Sequence, residues 1–312
     1  MRSCAAALSS LVALGCESSP EVLVGRLHVS PKTEDAARPP IDAAKATRPG
    51  DGQSKPSMGL EAGIAPDAAR GRDSGSNQCE APGALHDYLF TLSGTGAAGS
   101  SVADAQGGEA AKLFGGAQLL SAAEGRGVRL DGVDDFVQLP SRMLAGLQST
   151  TLSVWFVVDG GPGYVRLLDF GRGSTAEPSE GDGSVGRSYL ALTPATGLDQ
   201  PKLAALASAD GAANELAIGT DLEVRDGVLH RASLAFDASE QQLRLYLDGE
   251  LLGARGLTFE LSQVDDRDNW IGRSHYDADP YLGGTIRRAV VYDVALTDCQ
   301  EQRAWGLGVT TP

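Results

Sequence analysis

The arrangement of apolar and polar positions changes character twice along the chain. From Glu17 to Gln78, Ala, Pro, Gly, Asp and Ser dominate, as in Arg38 to Lys45 and Gly71 to Asn77, and apolar periodicity is nearly absent. Such a stretch cannot bury enough surface to offset its ordering entropy, so residues 16–78 are expected to form a disordered stalk. Val22 to Val29 alternates briefly but stands alone. Beyond Cys79 short apolar runs recur with period two, separated by Gly, Asp and Pro turns. Val128 to Leu139 reads as two half-buried strands around an acidic loop, and Thr150 to Phe156 follows as a third.

Further strands are predicted at 85–92, 164–170, 187–193, 202–207, 215–219, 229–236, 242–247, 250–255 and 285–292. Asp248-Gly249 between two alternating runs predicts a type I′ hairpin, because both central residues of that turn need positive φ. Thr297-Asp-Cys-Gln300 has the spacing of a capping box and predicts a short closing helix. Many short strands with no long helical period between them indicate an all-β, two-sheet antiparallel sandwich over residues 79–312.

The first sixteen residues carry one Arg, a short apolar run and a small residue before Cys16, the layout of a secretory signal. The run is too short to span a bilayer. Ala13-Leu-Gly-Cys16 resembles a bacterial lipobox, which implies removal of residues 1–15 and lipidation of Cys16. On that reading the protein is exported and anchored by acyl chains, at the outer membrane and cell surface, without crossing the bilayer. Cys4 leaves with the signal, so Cys79 and Cys299 remain and bracket the sandwich. They are expected to pair as a disulfide, the alternative being two buried thiols.

Val128 to Leu139, Thr150 to Phe156, Leu245-Tyr-Leu-Asp-Gly-Glu-Leu-Leu252 and Asn269-Trp-Ile-Gly-Arg-Ser274 together resemble the signature strands of the laminin-G-like branch of the concanavalin A-like jelly roll. The resemblance covers roughly Leu85 to Trp305. It implies a binding module whose rim loops meet glycans or protein partners, and it supplies no reaction.

A formal charge of -15 argues against a nucleic-acid partner, which needs clustered Lys and Arg. The acidic residues raise the question of calcium, a cation that takes 6 to 8 oxygen ligands. Asp104, Asp131, Asp134 and Asp135, with Glu109 beside them, fall on predicted loops and are the candidate ligands. The resemblance implies that a loop such as Asp104 to Gly108 works with an acidic Ile-Asp-Asp strand start, but this chain has Ile286-Arg-Arg288. Arg287 could therefore pair with Asp104 in place of the metal. The competing reading has Asp131 and Asp134 capping a tight turn.

The loop from Arg273 to Gly284 gathers His275, Tyr276, Asp277, Asp279 and Tyr281, with Trp270 just before it. Aromatic faces beside hydrogen-bonding side chains suit a sugar, whose ring has one apolar face and a rim of hydroxyls. These six residues are the candidate glycan site, although Trp270 and Tyr281 could equally be core. Trp155 is expected in the interior and Trp305 under a sheet. His230 is expected to have a strand-edge structural role; no Cys or His stands at zinc spacing, and His28 and His86 are expected to have no companions at all.

The retaining glycosidase pair of carboxylates, about 5 Å apart, would need an acidic strand of the Glu-x-Asp-x-x-Glu kind, and none is present. Gly-x-Ser-x-Gly, P-loop and dinucleotide motifs are absent as well. The sequence thus points to a non-catalytic glycan-binding module. An interaction or adhesion domain without sugar affinity is the second reading and a glycoside hydrolase the third.

Overall fold

The computed structural model describes residues 79–91, 101–175, 183–197 and 203–309. The expected signal, lipidation of Cys16, the stalk with His28, and Lys202 lie outside the described residues. Among the described residues sixteen strands form: β1 (His86–Leu89), β2 (Ser101–Val102), β3 (Ala111–Phe114), β4 (Gln118–Leu120), β5 (Gly127–Asp131), β6 (Phe136–Leu139), β7 (Thr150–Asp159), β8 (Leu168–Gly173), β9 (Gly186–Thr193), β10 (Ala204–Ser208), β11 (Leu216–Gly219), β12 (Asp226–Asp237), β13 (Gln242–Leu247), β14 (Glu250–Gly256), β15 (Asp268–Ile271) and β16 (Gly283–Tyr292). A helix, α1 (Asp298–Gly306), follows β16.

The strands form two antiparallel sheets. The first runs β14-β13-β12-β7-β16-β5-β4, with β1 also paired to β16; the second runs β11-β10-β9-β8-β15-β6-β3-β2. Alternation decides what fills the space between them. Leu152, Val154, Phe156 and Val158 of β7 belong to the main buried cluster with Leu168, Phe170, Leu190, Leu192, Ile271 and Ile286. Each fully buried side chain of this size contributes about 1.5 to 3 kcal/mol. The hairpin at Asp248-Gly249 forms as expected, with φ of 52° and 83°.

The acidic loop joins strands that lie in different sheets, since β5 pairs with β16 and β6 with β15. A second corner, Gly115-Gly116, makes the same crossing from β3 to β4. The two corners touch: Asp135 accepts from the Gly116 amide, and a Cβ on Gly115 would lie 2.6 Å from the Asp134 carbonyl oxygen. Only glycine, with φ of +68° at this position, permits that approach.

Trp155 is buried as expected, but it faces away from the space between the sheets. On the outer surface of the first sheet it clusters with Val290, Tyr292 and Leu296, packed against by Ala81, Ala84 and Trp305. Residues from the start of the described domain and from α1 thus cover this face. Cys79 and Cys299 join the two ends of the domain in a disulfide, with Cα atoms 5.1 Å apart. The capping box of α1 uses Thr297 and Gln300. His230, on β12, is hydrogen-bonded to Asp248 at 2.7 Å, the structural use expected for it.

One expected strand is only half formed. Tyr164 adopts φ of +63°, outside the extended region, so the segment turns before β8 begins at Leu168.

Candidate functional site

Trp270 on β15 stands opposite Gln138 of β6 and Asp169 of β8. Its flanking residue Ile271 points into the core, so the indole lies on the outer face of the second sheet. It is 3% exposed and stacks on His275 with centroids 4.5 Å apart. Phe136 meets its edge at 6.3 Å, lies parallel to Phe114 at 4.8 Å, and is 6.3 Å from Tyr281. The result is an aromatic row, Phe114, Phe136 and Trp270, across β3, β6 and β15. Phe114, at 37% exposure, forms its open end. The Arg273 guanidinium lies over the row, 5.0 Å from the Phe136 centroid and 4.3 Å from that of Trp270.

Behind the row is a buried ionic network. His275 Nδ1 lies 2.8 Å from Asp169 Oδ1, and its backbone amide donates to Asp169 Oδ2 at 3.1 Å. Arg166 reaches Asp169 at 3.4 Å and donates to Asp279 Oδ2 at 2.8 Å, an oxygen that also accepts from Ser274 Oγ at 2.7 Å. Burial alone would push the Asp169 carboxyl up. The charges of His275 and Arg166 and the bonds from His275 outweigh it and hold the group below the usual carboxylate range.

The six residues singled out by sequence therefore separate into three roles. Trp270 and Tyr281 are brought to Phe136, and His275 stacks on Trp270. Tyr276 turns the other way, its hydroxyl 3.1 Å from that of Tyr189, against the outer face of β9, β10 and β11. Asp277 and Asp279 fold the loop, Asp277 by accepting from the Gly183 amide and Asp279 through Arg166. Sequence reasoning missed Phe114, Phe136 and Arg273. For Phe136 the signal was present, since Val137 and Leu139 mark the opposite face of β6. For Phe114 it was not, because β3 is too short to alternate visibly.

The candidate metal ligands fall into two separate places. Carboxylate oxygens of Asp131, Asp134 and Asp135 lie within 4.8 Å of one another at the acidic corner. Asp131 accepts from the Val133 amide and Asp135 from the amides of Asp131 and Gly116. Those are turn-forming bonds, and burial, partly opposed by them, pushes the Asp135 carboxyl up. Asp104 is elsewhere. Its Oδ1 accepts from the amides of Asp87 and Gln106, and its Oδ2 lies 2.6 Å from His86 Nδ1. His86 is thus not without a companion. Burial raises the Asp104 carboxyl less than these bonds lower it. Glu109 is exposed, and its carbonyl accepts from the Tyr88 hydroxyl.

The expected Arg287–Asp104 pair does not form. A bulge in β16 between Ile286 and Arg288 drops Arg287 from the register, and its guanidinium lies beside Gly125. Arg288 instead makes a two-pronged pair with Asp87 at 2.8 and 2.6 Å, 5.3 Å over the Trp155 ring. With both Asp104 oxygens satisfied and a cation on the neighbouring Asp87, this corner does not fit the calcium arrangement that the resemblance implies.

The sequence profile of the concanavalin A-like lectin/glucanases superfamily matches residues 131–300. No curated protein matches the chain. Among solved structures, domain 4 of AbnA, a GH43 extracellular arabinanase from Geobacillus stearothermophilus determined with arabinotriose, superposes with a TM-score of 0.53 at 16% identity, covering 70% of this chain and 97% of that one. The receptor binding domain of botulinum neurotoxin C/D mosaic serotype gives 0.51 at 11% identity, over 73% and 52%. A mutant Trypanosoma rangeli sialidase displaying trans-sialidase activity gives 0.50 at 19%, over 70% and 32%, so this chain spans about half of the toxin domain and a third of the sialidase.

Proposed function

We propose that this chain, which belongs to the concanavalin A-like lectin/glucanases superfamily, is a non-catalytic binding module that takes glycan on the outer face of its second sheet. The observation that carries the reading is the row of Phe114, Phe136 and Trp270 with Tyr281 beside it and Gln138 between β3 and β15. Phe114, braced face to face by Phe136 and exposed at the end of the row, offers the apolar face of a sugar ring a surface that needs no rearrangement, and adjacent polar groups serve its hydroxyls. Trp270 acts from beneath, fixing Phe136 and Arg273. The arabinanase domain determined with arabinotriose is a case of the same fold beside a sugar. The carboxylates of the loop support a non-catalytic role, since Asp169 and Asp279 are spent on Arg166, His275 and Ser274.

Affinity electrophoresis of the full protein through polysaccharide gels, with CaCl₂ or with chelator, tests this. Retardation in at least one gel is expected, equal in both conditions, because the Asp104 corner is satisfied without an ion. Phe114→Ala should weaken it at least about fivefold, a contact worth about 1 kcal/mol. Retardation lost with chelator would install calcium in the site, at Asp131, Asp134 and Asp135. Retardation in no gel would favour the protein-partner reading, and shortening of the polymer would favour hydrolysis.

Export and lipidation of Cys16 complete the proposal. The signal layout supports them, and so does the Cys79–Cys299 bond, which suits an oxidising compartment. Cells fed labelled palmitate should incorporate label into the wild type and none into Cys16→Ser; label in both would remove the anchor at this residue.

A further inference from the structure

Building on the glycan reading, we infer that the site selects sugars bearing a carboxylate, with Arg273 as the residue that determines this specificity. Several arginines of the domain are committed to carboxylates: Arg166 to Asp279, Arg172 to Asp265, Arg231 to Glu301, Arg244 to Asp237 and Arg288 to Asp87. Arg273 makes no such pair and lies instead over the aromatic row. Among the described residues none accepts a hydrogen bond from its guanidinium; Asp268 senses its charge but forms no bond with it. Its N–H groups are therefore available to a carboxylate that a ligand brings.

The two rings under Arg273 make that contact selective. With Phe136 and Trp270 at 5.0 and 4.3 Å, the guanidinium is held by cation–π attraction on a surface that the sheet fixes. Little side-chain freedom is then lost when a ligand docks. The guanidinium presents its N–H groups as a planar fork, which matches the two oxygens of a carboxylate and gives a neutral hydroxyl no comparable bidentate partner. Lys112, exposed on β3 and paired in register with Gln138, adds a second cation beside the row. The net charge of -15 opposes an anion at long range, but separations beyond about 8 Å are screened at physiological salt, so contact chemistry decides.

The test is a glycan array probed with the full protein at physiological salt, on which each uronate or sialate glycan stands beside its carboxyl-reduced, neutral counterpart. The acidic forms should bind about tenfold or more tightly than their reduced partners. Arg273→Ala should abolish that difference, and Arg273→Lys, which keeps the charge but not the fork, should retain only part of it. Melting curves identify any variant that fails to fold, and Arg273→Lys, which preserves charge and length, keeps the comparison alive in that case. Equal binding of acidic and reduced forms, or a preference that survives Arg273→Ala, overturns the inference and leaves the glycan reading standing. Binding to no glycan of either kind overturns both.

Discussion

Replacing Cys299 with serine should lower the stability of the oxidised protein by about 5 kcal/mol, because the bond to Cys79 closes a loop spanning 220 positions and the chain-entropy cost of so long a loop is large. For a domain of this size that corresponds to a fall in melting temperature of roughly 10 to 20 °C. The loss should be concentrated at one place. The segment after Cys79 is held by few other contacts, among them the Leu85 amide on the Val291 carbonyl and Gln300 on the Glu80 carbonyl. Together with α1 it forms the cover over Trp155. Urea unfolding of wild type and Cys299→Ser, each with and without reductant, measures the effect. Reductant should bring the wild type down to the variant and leave the variant unchanged. Equal midpoints for oxidised wild type and variant would remove the disulfide from the account of stability.

That cover also explains what could and could not be read in advance. Period-two alternation located most long strands, since a strand between a core and a second layer has to show it. It could not tell which sheet each strand joins. Asp131 to Asp135 reads as a loop between neighbours, yet β5 and β6 part company there, pairing with β16 and β15, and the corner is held by the Gly116 amide, nineteen residues away, donating to Asp135. β3 and β4 escaped notice because four and three residues around a Gly pair carry too little pattern. Trp155 was legible as buried but not as facing outward, because nearly every residue of β7 is buried and the strand is apolar on both faces. At the candidate site the loop was legible from its aromatic and acidic residues. Its division of labour was not, because Arg166 lies 113 residues from Asp279 and His275 lies 106 from Asp169. The aromatic row needs β3, β6 and β15 side by side, an order only the fold supplies.

Removing the carboxylate of Glu301 should be comparably damaging, for a reason rooted in the same cover. Glu301 on α1 and Arg231 on β12 are a hydrogen-bonded ion pair with both side chains fully buried. Arg231 also donates to Ser153 Oγ at 2.9 Å and lies 4.9 Å over the Trp155 ring, while Glu301 accepts from Ser233 Oγ at 3.1 Å. Glu301→Ala leaves the guanidinium out of water with no counter-charge, a defect that costs about 3 to 5 kcal/mol. The pair itself need not be stabilising overall, since the desolvation of two ions offsets much of their attraction. Hence Arg231→Met combined with Glu301→Leu, which removes both charges and keeps apolar volume, should recover most of the loss. Urea unfolding of the two single variants and the double variant gives the coupling directly. A single Glu301→Ala that costs under about 1 kcal/mol would mean that water reaches Arg231 and that α1 does not seal this face. A double variant no better than the singles would instead make the pair a positioning device, with α1 held against the sheet by the geometry of its charge contacts and not by burial.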